Sequence, residues 1–181
     1  MMFIRYFNLY FYLALCVTQP MVALASDLIL KGNLIESPCI IDPGSSSQVI
    51  QFMETSTRLY QSMPGKSYAE KFEIRLINCN ALALGKIVDV VFTGTEEPSL
   101  PGYLKVNGIN EGKLAIGIMD NLENNLLKIN QNNNNSGKVI EGDNVNMTYK
   151  AFVQATPKAI IDKTVRPGNY SSILTFNISY K

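Results

Sequence analysis

The sequence contains no histidine, and it has only three cysteines among its 181 residues. Histidine is the commonest general base and a common metal ligand, so its absence removes the usual catalytic and metal-binding arrangements. Acid–base chemistry would then need paired carboxylates or a serine–lysine arrangement. The acidic residues show no spacing that separates them from ordinary surface charge, among them Asp89, Glu96, Glu97 and Asp120. We therefore predict no enzymatic activity, no metal, no cofactor and no small-molecule substrate.

The sequence also lacks a large excess of either positive or negative charge. The chain has 16 basic and 15 acidic residues, and Arg5 is the one basic residue of the leader described next. A net charge near zero argues against nucleic acid or an acidic membrane surface as a partner. No window beyond the leader reaches the roughly 20 apolar residues that a membrane-spanning helix needs. We therefore expect a soluble mature protein.

The first 25 residues have the pattern of a signal peptide. Arg5 precedes an apolar stretch over residues 11–17, and Ala23 and Ala25 supply the small side chains at positions −3 and −1 of a cleavage site. The alternative is a membrane anchor, but the apolar stretch is too short to span a bilayer. We predict export, with a mature chain that begins at Ser26 and forms one domain.

The cysteines fit an oxidising compartment. Cys16 leaves with the signal peptide, and Cys39 and Cys79 remain. Two cysteines in an exported chain most simply pair with each other. The alternatives are a metal site or a catalytic thiol, and each lacks the histidine or further cysteine that would complete it. We therefore predict a disulfide between Cys39 and Cys79.

Period-2 alternation and turn residues recur along the whole mature chain, which predicts an all-β sandwich. The predicted strands are 33–41, 48–52, 70–78, 86–93, 103–106, 113–119, 126–129, 145–155 and 170–180. A short helix is predicted over 157–163, with Thr156 as its N-cap and Pro157 in its first turn. The asparagine-rich stretch 131–137 is typical of an exposed loop.

The two ends of the mature chain carry unusual strands. At the start, an extended backbone places one row of residues on a single face: Leu28, Leu30, Gly32 and Leu34. This segment is either the first strand of the sandwich or an arm that adds to a neighbour's sheet edge, since a glycine allows two backbones to approach closely. At the other end, one face of residues 168–181 is mostly large and apolar: Gly168, Tyr170, Leu174, Phe176, Ile178 and Tyr180. Such a strand at a sheet edge leaves unpaired N–H and C=O groups unless a partner covers them.

Taken together, these features resemble the chaperone–usher pilin family, the subunits of bacterial adhesive fimbriae. The family combines a signal peptide, a short apolar arm with a glycine, and a disulfide near the N-terminus. Its C-terminal strand has a tyrosine next to last and a glycine fourteenth from the end. Here Gly32, Tyr180 and Gly168 occupy the glycine and tyrosine positions, and Cys39 and Cys79 match the cysteines.

Within the family, the chain is most similar to the minor adaptor pilin of P-type pili. The similarity lies in residues 26–39, 94–97, 100–106 and 155–157. Major rod pilins usually have a longer arm before the glycine, and only residues 26–31 precede Gly32 here. The alternatives are a major rod pilin and a self-sufficient secreted β-sandwich binding module.

The resemblance implies a fold, partners and a location. The fold is an immunoglobulin-like sandwich that lacks its last strand and is completed by a strand from another protein. Residues 26–35 would be the donor arm, and residues 36–181 the incomplete domain. The C-terminal strand would border the groove and bind a periplasmic chaperone, with the carboxylate of Lys181 in a basic cleft of that chaperone. The other partners would be an outer-membrane usher and neighbouring pilins, and the destination a cell-surface fimbrium of a Gram-negative bacterium.

Overall fold

The computed structural model describes residues 37–133 and 137–181. The predicted signal peptide and the predicted arm, with Leu28, Leu30, Gly32 and Leu34, lie outside these ranges. Part of the predicted loop 131–137 lies outside them as well. Residues Glu36–Lys181 form one compact unit.

Ten strands, two short α-helices and one 3₁₀-helix make up the described chain. The strands are β1 (Ile40–Ile41), β2 (Glu70–Ile77), β3 (Ile87–Thr93), β4 (Leu104–Lys105), β5 (Asn107–Gly108), β6 (Leu114–Asp120), β7 (Lys138–Val139), β8 (Val145–Ala155), β9 (Tyr170–Ser171) and β10 (Thr175–Tyr180). The α-helices are α1 (Pro43–Ser46) and α2 (Pro157–Asp162), and the 3₁₀-helix is Thr57–Gln61. None of these helices is long and apolar enough to cross a membrane.

The strands form two main antiparallel sheets. The larger sheet has the order β1-β2-β8-β6-β4, and the smaller has the order β10-β3-β7. A separate pair joins β5 to β9. The register aligns Ile74 with Met147 and Phe176 with Phe92, so the apolar side chains of neighbouring strands share a face. In the smaller sheet, β10 is an edge strand.

The core lies between the two sheets. Phe92 of β3 contacts Phe72 of β2 and Tyr149 of β8, with ring centroids 6.0 and 5.0 Å apart. Both contacts are edge-to-face, the arrangement that aromatic quadrupoles favour. Each fully buried side chain of this size stabilises the fold by about 1.5–3 kcal/mol. The aromatic cluster therefore holds the smaller sheet on the larger one.

Several predicted elements are confirmed by the structure. The chain is all-β apart from short helices, and β8 has the predicted bounds. Helix α2 begins as predicted, since the Thr156 hydroxyl accepts a hydrogen bond from the Ala159 N–H and Pro157 lies in the first turn. Lys163 ends the helix in a left-handed conformation. Cys39 and Cys79 are joined by a disulfide.

Other predictions were wrong in detail. Residues 48–52 are extended but belong to no strand, and Leu126 makes only an isolated bridge to Met119 instead of starting a strand. The predicted strand 170–180 is interrupted, because β9 pairs with β5 whereas β10 pairs with β3. Asp89 and Glu97, which the sequence placed with the surface charges, are each only 2% exposed.

Candidate functional site

A cleft of about 1190 Å³ opens between the two sheets. Its two rims are residues 45–57 and residues 168–174. Its floor consists mainly of core side chains from both sheets: Phe72, Ile74, Phe92, Leu104, Leu114, Ile116, Ile118 and Ala151. The cleft thus reaches down to the hydrophobic core, although each of these floor side chains is at most 8% exposed.

The first rim is an extended segment without a strand partner. Residues 48–56 belong to no sheet. Ile50 and Phe52 pack against the core, whereas Val49 on the opposite face is 93% exposed. The alternation is that of a half-buried strand, but the backbone hydrogen bonds of a ladder are missing along it.

Side chains, not a β-ladder, hold this rim in place. The Gln48 Nε2 donates to the carbonyl of Glu73 at 2.7 Å. The Met53 N–H donates to the Glu70 carboxylate at 3.3 Å. Both acceptors belong to β2, so the rim follows β2 without forming a strand beside it. Its unsatisfied backbone groups therefore remain available to a partner.

The second rim leads into the free edge of β10. From Tyr170 to Tyr180, the even-numbered side chains are half-buried and the odd-numbered ones are exposed. Leu174 and Phe176 line the cleft and also pack against the core. Partial burial of such apolar side chains is the result expected when one neighbouring strand is missing.

The two rims touch at one end of the cleft. The rings of Phe52 and Tyr170 lie 6.2 Å apart between centroids. Burial, together with the neighbouring Tyr60, raises the pKa of Tyr170 to about 12. The Tyr170 hydroxyl is therefore held in its neutral form in an apolar setting.

Gly168 begins the second rim at a position where a side chain would not fit. Its φ is +150°, and an added Cβ would lie 2.7 Å from the Ile109 side chain. At the far end, Lys181 and Ile87 exchange two backbone hydrogen bonds, of 2.9 and 3.0 Å. The two backbone bonds fix the end of the C-terminal segment against the body of the domain, and the missing side chain at Gly168 lets its start lie close to Ile109.

The structure brings four of the predicted groove residues to the cleft, whereas the predicted donor residues lie outside the described residues. Gly168, Tyr170, Leu174 and Phe176 line the cleft. Ile178 and Tyr180 pack against the core, and burial raises the pKa of Tyr180. Sequence reasoning missed the opposite rim as part of the same site, although the apolar residues Ile50 and Phe52 in the alternating stretch 48–52 were a usable signal.

The chemistry of the cleft is that of a strand acceptor. An unpaired segment on one side and the approach to the edge strand β10 on the other flank an apolar floor, an arrangement that fits one added β-strand. The described residues contain no group of three or more His, Cys, Asp or Glu placed to hold a metal ion.

Comparisons with known proteins agree on one family. A sequence profile described as "Fimbrial protein" matches residues 28–181. "Fimbrial adapter PapK" of Escherichia coli is 41% identical over 160 residues, which cover 88% of this chain and 90% of that protein. "Putative minor fimbrial subunit PmfF" of Proteus mirabilis is 25% identical over 174 residues, covering 92% and 93% of the two chains.

Solved structures of similar fold are pilus subunits. The P pilus rod subunit PapA has a TM-score of 0.67 at 23% identity, over 80% of this chain and all of that one. A subunit in the structure of a chaperone–usher pilus has a TM-score of 0.66 at 21% identity, over 90% of this chain. These similarities show the fold, an immunoglobulin-like sandwich of the pilin type.

Proposed function

Because the chain belongs to the fimbrial protein family, we propose that it is a minor, adaptor subunit of a chaperone–usher fimbria on a Gram-negative cell surface. The 41% identity to an adaptor over most of both chains supports this assignment. A structural role, without catalysis, agrees with the apolar lining of the cleft.

The cleft is the observation that carries the proposal. Its floor is core surface, one rim has no strand partner over residues 48–56, and the other rim leads into the edge strand β10. An isolated domain with this cleft open leaves the half-buried apolar side chains of its rims partly in water, at a cost of about 25 cal/mol per Å² of apolar surface. A strand from another protein would cover that surface and pair with both rims, which is the strand addition known for pilins.

Two donors would fill the cleft in succession. A periplasmic chaperone would lend a strand to the exported subunit, and the arm of a neighbouring pilin would replace that strand in the fibre. An outer-membrane usher would be the site of this exchange. The order protects the apolar floor from water at each stage, because an exposed floor and exposed strand edges promote aggregation.

The subunit's own arm, residues 26–35, would fill a neighbour's cleft. Leu28, Leu30 and Leu34 would face the neighbour's apolar floor, and Gly32 would allow close backbone approach. Burial of the three leucines would contribute about 5–9 kcal/mol at the usual value per side chain. Ordering about ten residues opposes this by about 1–2 kcal/mol each. Backbone hydrogen bonds, at about 1 kcal/mol each, offset part of that entropy.

Substitution of one arm residue tests this function. Leu30→Asp places a carboxylate on the face that would enter the neighbour's cleft, so the variant subunit is expected to be captured by the chaperone but not to join a fibre. The measurement is the fraction of the variant in purified fimbriae and in chaperone complexes. Lys31→Asp is the matched control, because in an extended arm the adjacent side chain would face away from the cleft.

Normal incorporation of Leu30→Asp would overturn the arm assignment. A further measurement distinguishes the pilin from a self-sufficient binding module. The mature chain made without a chaperone is expected to aggregate, and a fused copy of residues 26–36 is expected to keep it monomeric. A stable monomer without any added strand would overturn the proposed function.

A further inference from the structure

We propose that Asp89 is a positioning residue that clamps the end of the cleft-forming strand β10 through Lys181. This inference rests on the proposed function, because it assigns a purpose to the free edge of β10. The proposal starts from the burial of the Asp89 carboxylate. A side chain on the outward face of a sheet is ordinarily exposed to water, and this one is not. Its neighbours Val88 and Val90 face the core, so Asp89 lies on the opposite face of β3.

The carboxylate is buried between three segments of one sheet. Asp89 pairs in register with Ser179 of β10, and its side chain is 3% exposed. One carboxylate oxygen contacts the ammonium of Lys181, whose side chain is 51% exposed. The other oxygen faces Gly137, just before β7, where an added Cβ would collide with it. That second oxygen has no hydrogen-bond partner among the described residues.

A buried carboxylate with one unsatisfied oxygen needs its cation. Loss of either partner from a buried ion pair is far more costly than loss of an exposed pair, since the remaining charge is desolvated without compensation. Among the described residues, Lys181 is the cation within ion-pair distance of Asp89. The pair therefore resists fraying at Lys181, the residue that directly follows β10.

Fraying matters here because β10 is an edge strand. Three residues, 172–174, separate β10 from β9, so the pairing of β9 with β5 does not align β10 continuously. The edge of β10 that faces the cleft would pair with an incoming strand. Asp89 thus keeps the acceptor edge extended up to Lys181, in addition to the two backbone bonds between Lys181 and Ile87.

Hydrogen exchange of the mature chain, kept monomeric by a fused copy of residues 26–36, tests the clamp. The Lys181 amide, which donates to Ile87, is expected to exchange roughly tenfold faster in Asp89→Asn, because the freed strand end opens locally. Lys181→Gln should show the same change, and the double variant should show no further increase. Lys181→Arg should retain wild-type exchange. This non-additivity is the signature of one shared interaction.

Two further variants keep the test decisive. Gly137→Ala leaves both charges in place but adds a methyl group against the Asp89 carboxylate, and it should also accelerate exchange at Lys181. Asp162→Asn is the matched control, since it removes an exposed carboxylate that pairs with Lys158. Unchanged exchange at Lys181 in Lys181→Gln would overturn the clamp, even where Asp89→Asn fails to fold.

The consequence for partner binding is measured separately. A synthetic peptide of residues 26–36 should bind to the Lys181→Gln chain roughly three- to tenfold more weakly than it binds to the wild-type chain. An effect of this size is expected because the lost ion pair is partly exposed. Equal affinity would overturn the functional part of the proposal. A wild-type chain that binds no strand donor at all would instead count against the proposed function, and the exchange data would still test the clamp.

Discussion

Tyr170 shows how a single residue depends on the open cleft. Its ring meets Phe52 of the opposite rim, and its hydroxyl lies near Tyr60. Loss of water costs the charged phenolate more free energy than the neutral phenol. The folded protein therefore favours the protonated form of Tyr170. The pKa of the Tyr170 hydroxyl is therefore sensitive to the contact between the two rims.

This environment predicts that the stability of the folded chain depends on pH. The pKa of Tyr170 is raised from the ordinary value of 10.0 to about 12 in the folded chain. The folded state thus binds more protons than the unfolded state between these values, and stability falls as pH rises. The contribution is fully present below pH 10 and is lost as pH rises through about 12.

Denaturant unfolding between pH 9 and pH 12 would measure this slope, on the chain with its cleft filled by a fused strand. Tyr170→Phe should flatten the decline. Tyr68→Phe is the control, because Tyr68 is 76% exposed. An identical slope in Tyr170→Phe and the wild-type chain would contradict the assignment.

At the scale of elements, the unpaired rim at residues 48–56 makes the clearest prediction. These amides lack ladder hydrogen bonds, so they should exchange quickly in the open subunit. When a strand fills the cleft, exchange over residues 49–55 should slow by at least about tenfold, as for residues in a paired strand. Peptide-resolved hydrogen exchange with and without a donor strand measures this.

The central strand β8 provides the internal control for that experiment. It pairs with β2 and β6 on both sides, so its amides should be protected in either state. Fast exchange over residues 49–55 in the filled state would show that the donor strand does not pair with this rim.

The same elements show how far the sequence predicts the fold. β8 was predicted with its correct bounds, because its alternation runs through most of the strand and it has a partner on each side within the chain. Residues 48–52 have a similar alternation but form no strand. Under the proposed function a second molecule would supply the missing partner strand, so the sequence predicts a strand that the chain by itself does not form.

The candidate site was also predicted in part. The alternation of the last strand revealed the half of the cleft that contains Leu174 and Phe176. The clamp could not be predicted, because the burial of Asp89 depends on Gly137 and Lys181, which are distant in sequence. A carboxylate on the outward face of a strand is ordinarily solvated, and only tertiary packing shows that this one is not.

At the scale of the whole molecule, the disulfide dominates the stability prediction. Cys39 and Cys79 are separated by 40 positions, and a closed loop of this size stabilises a fold by about 4 kcal/mol in the chain-entropy model. Replacement of both cysteines by serine should therefore reduce the free energy of unfolding by about 2–5 kcal/mol.

The measurement is denaturant unfolding of the strand-complemented chain. The wild-type chain treated with a reductant is the control, and it should unfold at the same denaturant concentration as the double serine variant. Equal midpoints for the oxidised and reduced chains would show that the bridge has no energetic role.

The disulfide has a mechanical consequence as well. Tension applied to the chain before Cys39 passes through the sulfur atoms to Cys79, so the roughly 40 residues between them cannot be pulled out. Their contour length is about 130–140 Å, which the bridge removes from the extensible part of the subunit. Cys79 follows shortly after β2, which supplies Phe72 and Ile74 to the cleft floor. In a fibre, force would thus travel from one subunit's arm to its own acceptor cleft along a short covalent path.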